Sequence, residues 1–371
     1  MKNAKILVIG GGIGGLTATI ALRRCRFDVE VVERDPNWSV YGVGIIQQSN
    51  VIRAMSELGV LQDYVKAGYG FDHVDAYGWN GVHFARIPTA RLVAGAPANL
   101  GIARTALHKV LGDRAIAAGG VIRLGETVKS LDQRQSGVDV TFSNGSTAHY
   151  DVVIGADGTH SSTRSMIFPQ EPAPEFTGQG VWRYNFVRPP EVEGISFYQG
   201  EIGAGLVPLS EDLMYMFVTT PEPGNPRYLQ QGLAGCLREK LRGAPPVLAE
   251  LAQKITDDEA VVYRPLEYLF MRGPWHHARV VLLGDAVHST TPHLGQGAGM
   301  AIEDSLVLAE EMTKADTPEH AFVAYRERRF ERCRYIVENS RAICDSQLGK
   351  RPPIDQAKAA RDMYAVVAQP I

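Results

Sequence analysis

Residues 8–16 read VIGGGIGGL, five glycines in nine positions at the end of the apolar run Lys5–Ile9. Within them Gly10, Gly12 and Gly15 follow the spacing GxGxxG between a predicted strand (Lys5–Ile9) and a predicted helix (Gly14 to Cys25). In that setting the first glycine permits a tight turn, the second lets backbone approach a pyrophosphate, and the third lets helix pack on strand. The helix N-terminus then offers unpaired N–H groups and the positive end of its dipole to the phosphates. The segment DVEVVE (28–33) predicts a second strand ending at Glu33, where a carboxylate accepts bonds from ribose hydroxyls and repels a 2′-phosphate. Arg34 follows it and is counted with the same binding set. A turn without a ligand is the plain alternative. Residues 1–35 do not distinguish NAD from FAD.

The rest of the chain narrows the class. With 371 residues, 45% of them hydrophobic, it suits two intimately joined domains of a soluble globular protein. A net charge of −3 without like-charge runs argues against nucleic acid as a partner. The longest apolar stretches are broken by glycines, so neither a signal peptide nor a membrane span is expected, and a cytoplasmic location is. Cys25, Cys236, Cys333 and Cys344 have no CxxC spacing, and no residue set has metal-ligand spacing.

DVVIGADG (151–158) and ARVVLLGDAVHS (278–289) read as buried parallel strands, each running into a turn. Between them, from Thr177 to about Tyr268, aromatic alternating strands joined by proline-rich turns predict an inserted antiparallel sheet. GAGMAIEDSLVLAEEM and the stretch from Thr317 to Leu348 read as helices, the latter with Thr317 as N-cap and Pro318 in the first turn. The tail GKRPPIDQAKAARDMY has no strong periodicity, and no function is assigned to it.

GADGTHSSTR (155–164), LLGDAVHSTTPHLGQGAGMAIEDSLVLAEEM (282–312), GVGIIQQSNVIRAMSELGV (42–60) and GIARTALHKVL (101–111) occur in this order after the opening motif. Together they resemble the single-component FAD-dependent aromatic hydroxylases whose parent is para-hydroxybenzoate hydroxylase. The resemblance implies an α/β fold: a Rossmann-like FAD-binding domain, an inserted antiparallel-sheet substrate domain and a long C-terminal helix. The implied division is 1–175 for the FAD-binding domain, including part of the substrate sheet at about 70–100; 176–270 for the main substrate sheet; 271–350 for the return to the FAD-binding domain; and 351–371 for the tail. Asp157, Asp285, Arg104, Gly44, Gly295, Gln296 and Gly297 match cofactor-contacting positions of the family. The chain departs from it at Ser49, where relatives commonly carry proline before the residue aligned with Asn50.

The implied reaction is hydroxylation of a small aromatic or heteroaromatic ring. NADH or NADPH visits transiently to reduce non-covalent FAD, and O₂ forms a C4a-hydroperoxide that transfers oxygen. The protein must then supply a dry pocket, a group that orients substrate and often a base. In VWRYNFV, period-two alternation puts Trp182, Tyr184 and Phe186 on one face and Arg183 and Asn185 on the other; in LMYMFV it groups Leu213, Tyr215 and Phe217 opposite Met214 and Met216. Which face covers the cofactor is open at this point. Tyr215, His293 and Arg183 are the candidates for the substrate pocket, with Tyr198 and Gln199 weaker. Set against these roles are sheet packing for Tyr215, a salt bridge for Arg183 and a structural hydrogen bond for His293. His288 reads as structural, and His276 and His277 as solvated. A monomer or homodimer is expected. A reductase or epoxidase of the same fold, or a flavoprotein that binds an aromatic ligand without turnover, are the alternatives.

Overall fold

The computed structural model describes residues 4–40 and 42–371. The opening strand Lys5–Ile9 lies between Asp28–Glu33 and Val152–Gly155, pairing parallel with both. Val280–Leu282 and Val121–Leu124 extend the sheet on either side, also in parallel. The inner strands Lys5–Ile9, Val152–Gly155 and Val280–Leu282 are almost wholly apolar because they are covered by helices and by a three-stranded sheet, Val128–Arg134, Gly137–Phe142 and Thr147–Tyr150, whose Val138, Val140 and Phe142 lie in the same core. Gly10 adopts φ +107°, and a Cβ on Gly15 would lie 1.9 Å from the Gly10 carbonyl oxygen, so the turn and the helix Ile13–Arg24 close on each other only as glycine. His276 and His277 form a short antiparallel edge strand on this sheet. The reading of both as solvated is corrected for His276, which is half-buried with its ring 5.5 Å from that of Phe322.

The second large sheet has seven strands, in the order Val262–Tyr268, Glu175–Val187, Leu213–Pro221, Gly203–Pro208, Ile195–Gln199, His73–Gly78 and His83–Pro88. Its long central pair is in register Arg183↔Phe217 and Asn185↔Tyr215, so these four side chains share one face. Trp182, Tyr184, Phe186, Met214 and Met216 occupy the other, beneath the helices Leu233–Lys240 and Pro246–Gln253. Sequence reading saw only strands and turns there. The helices form because Leu233, Leu237 and Leu241, and then Leu248, Leu251 and Ile255, recur at helical spacing over an apolar sheet face.

A small sheet, Gly44–Gln47 against Asn99–Ala103 against Tyr69–Phe71, joins the two halves. The helix Gly297–Lys314 and the long helix Pro318–Gln347 complete the first domain, and the Thr317 hydroxyl accepts the His320 N–H as the predicted cap. The tail is not irregular: Gln356–Ala368 is a helix whose Ala357, Met363 and Val367 are buried. No helix among the described residues is long and apolar enough to cross a membrane.

Candidate functional site

Two helix N-termini open at the carboxyl edge of the parallel sheet, where doubly wound folds bind ligands. The helix Ile13–Arg24 has Gly12 as N-cap, no side-chain cap and no acidic residue in its first turn. Gly12 is exposed, with nothing within 4 Å of where a Cβ would stand. The helix Gly297–Lys314 likewise starts without a side-chain cap, after Gly295 at φ +66°. Both therefore present unpaired N–H groups.

Glu33 holds the glycine turn from behind: one carboxylate oxygen accepts the Gly11 N–H at 2.8 Å and the other the Asp35 N–H at 2.9 Å. Arg34 beside it is exposed. Trp38, which sequence reading missed, donates its Nε1–H to the Gly11 carbonyl at 2.9 Å. The His108 Nε2 reaches the same oxygen at 3.0 Å, and the two rings meet edge to face. No local pattern marks either residue, because the contact spans 27 residues in one case and 97 in the other.

Asp285 begins a one-turn helix after Gly284. Its side chain is open to solvent even though protein surrounds it, which is the geometry of a deep cleft wall. Burial pushes its carboxyl above the usual range, against the pull of His288 and Arg104. Asp157 is used differently: one oxygen accepts the Ser161 hydroxyl at 2.5 Å, and the other accepts the Thr163 N–H and hydroxyl, both at 2.9 Å. It thus caps the helix Ser162–Ile167. The buried Arg164, also passed over in the sequence, bridges the Thr159 and Ala286 carbonyls and locks the two cofactor-side turns together.

The Gln296 side chain does not enter the cleft. Its amide pairs with that of Asn50 through two 3.0 Å bonds and also donates to Gln48. Gln48 in turn donates to the Leu294 carbonyl. Gln296 can therefore meet a ligand only through its backbone. Ser49 opens the helix Ser49–Glu57 and puts Asn50 into this buried amide ring.

The sheet face over the cleft carries Arg183, Asn185, Tyr215 and Phe217, with Phe197 beside them. Asn185 donates to the Gly42 carbonyl at 2.6 Å, and a Cβ on Gly44 would come within 2.3 Å of the Tyr215 ring. Tyr215 is 4% exposed. Burial raises its phenol, while Arg183 and Arg104 pull it down. The Arg183 guanidinium has no hydrogen-bond partner among the described residues; burial first, then repulsion from Arg104, lowers it to about 10, so it is charged at neutral pH. Gln199 follows Phe197 on this face by alternation, but Tyr198 is turned away and stacks on Tyr77. Tyr184 is turned away too, so the aromatic lining comes from Tyr215, Phe217 and Phe197.

His293 is bound at both ring nitrogens. Nδ1 lies 2.9 Å from the Thr291 hydroxyl and Nε2 3.0 Å from the Gln347 amide oxygen, which also accepts from Gln179 at 2.8 Å. Burial lowers it to about 4. His288 is fully buried, 2.6 Å from Asp304, and ties the Gly284 turn to the helix Gly297–Lys314. Cys333 completes a triad of metal-ligand type with these two, but the Arg329 guanidinium already donates to Asp304 at 2.8 Å. That cation balances the carboxylate and makes the cluster an ion pair network. All four cysteines are free.

Open glycine backbone, two helix N-termini without a side-chain cap and the Asp285 carboxylate at the same sheet edge fit a dinucleotide with a polyhydroxyl spacer and a ring that becomes anionic on reduction. Residues 3–340 match the FAD binding domain family. The chain belongs to this family of FAD-dependent monooxygenases. It is 30% identical over 367 residues to a protein named as an FAD-dependent monooxygenase, YetM of Bacillus subtilis, covering 98% of this chain and 99% of that one. It is also 30% identical to the aurachin C monooxygenase/isomerase of Stigmatella aurantiaca, over 93% of this chain and 89% of that protein. Among solved structures, HpxO of Klebsiella pneumoniae complexed with FAD and uric acid superposes with a TM-score of 0.85 at 26% identity, covering 98% of this chain and 92% of that one.

Proposed function

We propose that this monooxygenase hydroxylates a small planar aromatic or heteroaromatic anion, using NAD(P)H and O₂ as co-substrates. One observation carries the substrate class: Arg183 is charged, half-buried on the sheet face over the cleft and without a hydrogen-bond partner among the described residues. A cation so placed favours an anionic ligand, and a carboxylate or an acidic heterocycle matches its planar fork. The names of relatives support a ring substrate, since HpxO was crystallised with uric acid.

When bound, FAD supplies the reduction and activation of oxygen. The chain's own residues bind and orient. Gly10, Gly12, Gly15 and Glu33 hold the adenosine end, and Asp285 offers a carboxylate to the hydroxylated spacer. The Gly295 N–H is taken by the Pro292 carbonyl at 2.9 Å, so the N–H groups of Gln296 and Gly297 are those that would face the ring. Arg183 orients the substrate anion while Tyr215, Phe217 and Phe197 exclude water from it. His293, tied at both nitrogens and neutral at physiological pH, shapes the pocket and is not assigned the role of base.

A panel of aromatic carboxylates, phenolates and purine anions, each paired with a neutral analogue, tests this with the purified holoenzyme. The expected result is NAD(P)H oxidation accelerated by anions, with a product heavier by one oxygen atom. Acceleration without any oxygenated product in every case contradicts it and favours a ligand-responsive flavoprotein.

A further inference from the structure

The tail helix Gln356–Ala368 is held by its carbonyl end. Arg53 donates to the carbonyls of Ala368 at 3.0 Å, Val367 at 3.2 Å and Gln369 at 2.9 Å. Arg332 donates to those of Gln369 at 2.9 Å and Pro370 at 2.7 Å. The last carbonyls of a helix have no partner within it and carry the negative end of its dipole, so two guanidiniums there satisfy both needs. Both arginines also face one buried carboxylate on the helix Gly297–Lys314: Glu303 is 3.2 Å from Arg332 and 4.0 Å from Arg53. A Glu303 oxygen accepts the Asn50 amide at 3.0 Å, and Asn50 pairs with Gln296, the N-cap of that helix. On the same side, the Met363 sulfur lies 3.7 Å from the Gln296 amide nitrogen, and Tyr364 donates to Asn99 at 3.2 Å.

From this continuous line of contacts we infer that the tail helix is a positioning element of the flavin site. Its carbonyls fix Arg53 and Arg332, these join Arg329, which lies 2.8 Å from the other Glu303 oxygen, in holding Glu303, and Glu303 with Asn50 holds the Gln296 turn whose N–H groups would face the flavin ring. The inference depends on FAD binding alone and stands apart from the substrate assignment. Arg328 supplies an internal control. It also holds the tail, through the Ile371 carbonyl at 3.0 Å, but pairs with Glu310 and Glu311 and not with Glu303.

The experiment titrates the apoprotein with FAD, following flavin fluorescence and the visible absorption band, for the double variant R53Q/R332Q, for N50A and for R328Q. The double variant and N50A are expected to bind FAD about tenfold more weakly and to shift the flavin band, with R328Q close to wild type. In N50A the tail should remain resistant to limited proteolysis, which separates loss of the link from loss of the helix. If R53Q/R332Q does not fold, R332Q alone is read in the same way. Binding by R53Q/R332Q within about twofold of wild type, or an equal loss in R328Q, overturns the inference.

Discussion

Gly44 and Tyr215 meet across the boundary between the cofactor half and the sheet half: a Cβ added to Gly44 would stand 2.3 Å from the Tyr215 ring, and Leu209 is almost as near. Tyr215 is buried and Gly44 is strand backbone, so neither can yield without separating the layers. Gly44→Ala is therefore expected to destabilise the protein by about 1–3 kcal/mol, the range for overpacking a close contact. Thermal melting of the apoprotein measures this. Tyr215→Leu, which removes the ring, should restore part of the loss in the Gly44→Ala background, and an additive double variant would contradict the contact.

Burial makes the Arg183 charge costly to the folded protein. Its folded-state value of about 10 lies below the ordinary 12.5, so its charge destabilises the folded apoprotein at every pH below about 10, and the penalty fades as pH rises through that value. Arg183→Met is expected to raise the melting temperature of the apoprotein between pH 7 and 9, with the gain shrinking above pH 10. A lower melting temperature at pH 8 would mean that the guanidinium already has a stabilising partner.

Asp285 has the opposite charge and the same logic. Burial raises its carboxyl, so the ionised form destabilises the folded state at neutral pH; the penalty is present well above the ordinary value of 3.8 and vanishes as pH falls below it. Asp285→Asn should melt higher than wild type at pH 7 without FAD and equal it near pH 3. It should also bind FAD roughly 10–100-fold more weakly, the loss of a hydrogen bond to a charged group. Unchanged FAD affinity would remove Asp285 from the binding set.

His288 and Asp304 form a buried pair whose stabilisation has two limbs. Burial opposes both charges, but Cys333 and Asp304 hold the imidazole well above 6.5, while His288 and Arg329 hold the carboxyl at about 2. The imidazole contribution is complete below pH 6.5 and is lost as pH rises through its raised value. The carboxylate contribution is complete above pH 3.8 and is lost as pH falls toward about 2. Denaturant midpoints should therefore be highest between these limits. His288→Ala is expected to cost about 1.5–3 kcal/mol, the range for a hydrogen bond to a charged group, since Arg329 still balances Asp304, and to flatten the alkaline limb.

The cofactor half was legible because local rules act there: GxGxxG spacing, apolar runs of strand length and a cap at Thr317 each lie within one short segment. Arg183 and Tyr215 could be grouped by alternation, yet the face they occupy depends on where the helices Leu233–Lys240 and Pro246–Gln253 pack. Those helices are eight residues each and separated by Pro245, too short for periodicity to stand out. The tail helix was hidden for a different reason. Its apolar positions are few, and its docking is specified by Arg53 and Arg332, far away in sequence. Trp38 and Arg164 likewise acquire meaning only from the carbonyls they reach.

The most direct test of Arg183 as the anchor for an anionic ring is a spectral titration of the holoenzyme. The flavin band is followed as an aromatic carboxylate that accelerates NAD(P)H oxidation, or its methyl ester, is added to wild type and to Arg183→Met. The carboxylate should bind wild type roughly tenfold or more tightly than the ester, and the preference should disappear in the variant, as expected for a charge-assisted pair. Equal binding of acid and ester by wild type, or a preference that survives in Arg183→Met, would contradict it.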